Sequence, residues 1–102
     1  MISGRLIDPL GVTVAVVHVT EGADLYLGEV ELDLMPEHML SIFRRFDEIA
    51  NDQMLSFLDE IEAEIAQLGI RFAAGDEDAR SVADLQIHPS TRGVSFRLVR
   101  DS

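Results

Sequence analysis

Between Pro36 and Gly69 the apolar residues recur at steps of three and four: Met39, Phe43, Phe46, Ala50, Met54, Phe57, Ile61, Ile65 and Leu68, flanked by Ile42, Ile49 and Leu58. That spacing lines one face of an α-helix. Pro36 suits a first turn, where its missing N–H costs nothing, and Gly69 is the expected C-terminal stop. A helix running without interruption from Pro36 to Leu68 would be roughly 50 Å long, whereas a compact chain of this size has a radius of gyration of about 13 Å. Either the helix breaks near Asn51-Asp52, with Asn51 capping a second helix, or it overhangs and its apolar face meets a partner. The stripe keeps its phase through that point, so the pattern favours one long or kinked helix. An overhanging stripe implies self-association, most simply as a dimer.

The flanking thirds read as strands. Ile2, Gly4 and Leu6 alternate with Ser3, Arg5 and Ile7, and Asp8-Pro9-Leu10-Gly11 has turn chemistry. Val12 to Val19 is apolar on both faces, as in a central strand. After Glu21-Gly22-Ala23-Asp24, a strand from Leu25 to Leu34 sets Tyr26, Gly28, Val30, Leu32 and Leu34 against Glu29, Glu31 and Asp33. Beyond Gly69, alternation resumes at Ile70–Ala74, Ala83–His88 and Val94–Leu98. The last two form a hairpin through Pro89-Ser90-Thr91-Arg92-Gly93. The predicted fold is a single α+β domain over residues 1–102. It has a mostly antiparallel sheet of about five to six strands, three before the helix and two to three after, with one long or kinked central helix on one face.

Charge narrows the partners. Nineteen acidic residues oppose eight basic ones among the 102, for a formal charge of −11. Binding a nucleic-acid backbone or an anionic membrane surface needs the opposite sign. All eight basic residues are Arg, and Cys is absent. Without Lys there is no Schiff base and no P-loop; without Cys there is no disulfide, thiol nucleophile or iron–sulfur ligation. No signal-peptide plan opens the sequence and no apolar run reaches membrane-spanning length, so a cytoplasmic location is expected.

Candidate sites are few. His18, His38 and His88 sit at no metal-ligand spacing, and the simplest reading makes His18 a hydrogen-bonded core residue and the other two surface positions. Asp76-Glu77-Asp78 lacks the Gly and Glu positions of a calcium loop and reads as a solvated turn. Glu29, Glu31 and Asp33 on one strand face form a candidate divalent-metal site, with Arg5, Arg71 or Arg97 as alternative cross-strand partners. Gly93-Val94-Ser95-Phe96-Arg97 fails as a nucleophile elbow at its last position. No catalytic residue and no cofactor is assigned.

One local rule is broken. Asp59, Glu60, Glu62 and Glu64 crowd the helix with like charges at i,i+3 and i,i+4, with no basic residue from Gln53 to Gly69, near an end where the dipole prefers cations. Broken local rules mark function as well as solvated faces. These four form a candidate surface for a basic protein partner. Three functions follow: a non-catalytic, self-associating interaction domain; an acidic inhibitor or immunity-type protein that binds a basic partner; and a metal-dependent enzyme built on Glu29, Glu31 and Asp33.

Overall fold

Six antiparallel strands close into a barrel, and two helices lie across one of its ends. The structure, a computed structural model, describes residues 1–99 apart from Asp24, Asp76 and Glu77. Strands β1 (Ile2–Ile7), β2 (Thr13–Glu21) and β3 (Tyr26–Glu31) form a meander. Helices α1 (Glu37–Asn51) and α2 (Leu58–Gln67) follow, joined through a 3-10 turn at Leu55–Phe57. Strands β4 (Arg71–Ala74), β5 (Arg80–His88) and β6 (Gly93–Leu98) complete the chain. The order around the barrel is β1-β2-β3-β6-β5-β4, closed by pairing of β4 with β1.

The expected open sheet under one long or kinked helix is therefore wrong on two counts. The sheet closes, and the helical stripe belongs to two helices of 15 and 10 residues. The mixed α and β content and the six antiparallel strands, three before the helices and three after, carry over. The longest dimension of the molecule is 38 Å, shorter than the rod the stripe implies. The break has a specific cause. At the end of α1, Gln53 adopts φ 55°, the Met54 amide donates to Ile49 O at 3.0 Å and the Gln53 amide to Ala50 O at 3.4 Å. This is a Schellman stop, built on Gln where Gly is usual. Asn51 does not cap the second helix: it is the last residue of α1, and Phe57 precedes α2.

The stripe nevertheless keeps its phase because both helices bury the same kind of face in the same place. Met39, Phe43 and Phe46 of α1 and Ile61 and Ile65 of α2 all join the core. Met54 and Phe57, at the break, are exposed. The overhang that argued for self-association does not exist.

Strand registers explain the barrel interior. Leu6 pairs with Ala15 and Phe72, Val17 with Gly4 and Val30, Val94 with Gly28 and Ile87. Residues that share a rung share a face. Tyr26, Phe72 and Phe96 cluster within the barrel, with ring centroids 5.0 to 5.9 Å apart. Gly28 is required where β3 crosses β2: a Cβ there would run into the His18 carbonyl oxygen and lie 2.7 Å from Val19 Cα. Strand β3 stops at Glu31, short of the expected Leu34, which is 61% exposed.

The barrel's weakest seam lies between β4 and β5, which pair at only two positions, Arg71 with Ser81 and Phe72 with Arg80. Both helices pack against β5, so helix rather than strand covers the rest of that edge. Within β5 a bulge between Ala83 and Gln86 resets the alternation, and Asp84 takes φ 54° to make it. Val82, Leu85 and Ile87 consequently face the core, in place of the expected run Ala83, Leu85, Ile87.

Candidate functional site

The helix break recasts the acidic cluster. Asp59 and Glu60 fall in the first turn of α2, where the helix macrodipole favours carboxylates. What looked like charge at the wrong end of one long helix is charge at the right end of a short one. Glu64 lies toward α1, and its Oε2 is 3.2 Å from the Arg45 guanidinium. Three of the four acids thus have structural reasons to be there. Glu62 has none: it is exposed, forms no ion pair among the described residues, and lines a groove.

That groove, of about 630 Å³, is lined by α2, the start of β4, and residues of β5 and β6. Its helix wall carries Glu62 and Ala66; its strand wall carries Arg71, Ser81, Gln86 and Ser95. The β5 bulge contributes to the lining, so the strained and exposed Asp84 borders the groove, its Oδ2 3.7 Å from Arg97 Nε. Strained non-glycine residues and bulges concentrate at binding sites. Arg71 is half-buried and, among the described residues, has no ion-pair partner. The volume falls in the range of small-ligand and peptide sites.

The other sequence candidates are dispersed. Glu29 stands directly across from His18, but it is Glu31 Oε2 that meets His18 Nε2, at 3.0 Å. Ser3 Oγ lies 3.0 Å from the other ring nitrogen. The three form an outward-facing chain on β1, β2 and β3, so His18 is a surface residue rather than a core one. Asp33 has left the strand for the turn after β3. Among the described residues no group of three or more His, Cys, Asp or Glu converges as metal ligands do, and Glu29, Glu31 and Asp33 do not share a centre. Arg97 pairs with Asp84, not with that face. Asp76 and Glu77, of the acidic turn, lie outside the described residues, as does Asp24.

Sequence reasoning passed over Asp47, the one buried charged residue described, at 6% exposure. It accepts hydrogen bonds from the Ser90 amide at 3.1 Å and Asn51 Nδ2 at 3.2 Å, with His88 Nδ1 3.1 Å away. Burial raises its pKa, and the hydrogen bonds from Ser90 and His88, with the charge of His88, lower it by more; the balance lies below the ordinary 3.8. This cluster clamps α1 to the β5–β6 hairpin. A signal for it existed: Asp47 lies four residues after Phe43, on the flank of the apolar stripe.

No helix among the described residues is long and apolar enough to cross a membrane. No known protein family, curated protein or solved structure matches the chain, which leaves function to be read from the site itself.

Proposed function

We propose that the protein is a small non-catalytic protein-interaction domain, and that the groove between α2 and β4–β6 is its contact surface. The observation that carries this reading is Glu62. It is the one member of the acidic cluster without a helix-end or ion-pair role, and it lines a groove that the strained Asp84 also borders. Both walls present polar groups around Ala66 and Ala83, in the pattern of a peptide-recognition surface.

The test is a capture experiment from the host's lysate with the native protein and with Ala66→Trp, which fills the groove from an exposed helix position. Asp59→Arg/Glu60→Arg serves as a second variant. A protein recovered by the native chain, kept by the charge reversals and lost by Ala66→Trp supports the groove. Identical recovery by native and Ala66→Trp, or no recovery, refutes it. Loss only with Asp59→Arg/Glu60→Arg transfers the contact to the acidic helix end and a basic partner. Recovery of the chain alone, unaffected by Ala66→Trp, makes self-association elsewhere the answer.

A further inference from the structure

We infer that the groove recognises a short zwitterionic peptide, its ammonium on Glu62 and its carboxylate on Arg71; this rests on the groove being the contact surface. Two opposite charges line one groove from opposite walls, Glu62 from α2 and Arg71 from the start of β4, and they do not pair with each other. Neither has another ionic partner among the described residues, whereas the second charged pair in the groove, Asp84 with Arg97, satisfies itself. Each charge remains available to a ligand.

The sign of the whole molecule selects among ligands. A formal charge of −11 repels a simple anion from Arg71. A simple cation meets Glu62 and leaves Arg71 without an anion. A ligand bearing both charges satisfies both walls at no net electrostatic cost. The same lining includes Ala66, Ala83 and Leu25, which suits a ligand with apolar side chains. Ser81, Gln86 and Ser95 supply donors and acceptors for a peptide backbone. The volume of about 630 Å³ accommodates more than one residue.

The probes are tri-leucine with free ends, its N-acetyl form and its C-terminal amide, titrated calorimetrically into the native protein, Glu62→Gln, Arg71→Gln and Ala66→Trp. The free peptide is expected to bind one to one, and each blocked end to weaken it by about tenfold, the effect of one partly desolvated charged hydrogen bond. Glu62→Gln should weaken the free peptide while leaving the acetylated one unchanged. Arg71→Gln should do the same for the free peptide against the amide. Blocked and free peptides binding equally, with Ala66→Trp abolishing both, overturns the zwitterion and preserves the groove. Binding indifferent to Ala66→Trp overturns both. No binding by any peptide overturns the zwitterion, and the capture experiment then decides the groove on its own.

Discussion

Asp47 offers the sharpest test of what holds the helices to the barrel. In Asp47→Ala three donors lose one acceptor. The Ser90 amide is a backbone donor that cannot swing to another acceptor, and leaving it unpaired costs about 1.5 kcal/mol. His88, with a third of its side chain exposed, and Asn51, which is exposed, recover water, so their losses are nearer about 0.5 kcal/mol each. Removing the carboxylate also removes its desolvation cost, which offsets part of the sum. The net expectation is a loss of about 2 kcal/mol, or roughly 10 °C in Tm for a domain of this size. Urea unfolding followed by circular dichroism at pH 7 measures it. A second arm fixes the cause. Because the folded pKa is lowered, the contribution of Asp47 is complete above the ordinary 3.8 and disappears as pH falls through the folded value. The gap between native and Asp47→Asn should therefore narrow on acidification below about pH 4. A loss under about 0.5 kcal/mol, or a gap independent of pH, refutes the clamp.

Two further substitutions test the barrel. Gly28→Ala places a methyl against the His18 carbonyl, and because that neighbour is backbone, relief requires β2 and β3 to separate; the expected cost is about 3 kcal/mol, read from thermal unfolding, and a loss below about 1 kcal/mol contradicts the close strand approach. Asp84→Gly relieves a left-handed conformation at the bulge and surrenders only an exposed ion pair at 3.7 Å, so stability should stay level or rise by about 0.5 kcal/mol; a clear loss would assign Asp84 a role beyond geometry.

What was legible in the sequence follows physical range. Strand β1, the Asp8–Gly11 turn and the stop at Gly69 depend on neighbouring residues, and they stand where periodicity and turn chemistry put them: Gly11 N donates to Asp8 O at 3.0 Å, and Gly69 takes φ 65°. The helix break near Asn51-Asp52 was offered by the sequence but not favoured, because its left-handed residue is Gln53, which signals nothing, and because α1 and α2 bury matching faces. Closure was hidden because it depends on Arg5 reaching Ala73 and Leu6 reaching Phe72, a pairing no local window contains. Errors propagated from there. Asp59 and Glu60 broke a rule only on a helix that does not exist, and once the break is placed, Glu62 alone still asks for an explanation. The groove itself, assembled from α2, β4, β5 and β6, had no signature beyond that one unaccounted acid.

The β1–β4 junction also dictates an order of events during synthesis. The β1-β2-β3 meander leaves the ribosome with both outer edges open, β1 awaiting Arg71–Ala74 and β3 awaiting Gly93–Leu98. The β1 edge cannot be sealed until both helices and β4 have been made, and the β3 edge not until β6, near the end of the chain. For that interval the nascent protein is an unprotected three-stranded sheet rich in valine, the form most prone to pair with a stranger. Gly4 and Gly28, which admit the close approaches of the finished barrel, contribute no strand propensity of their own, so they also weaken the meander while it waits.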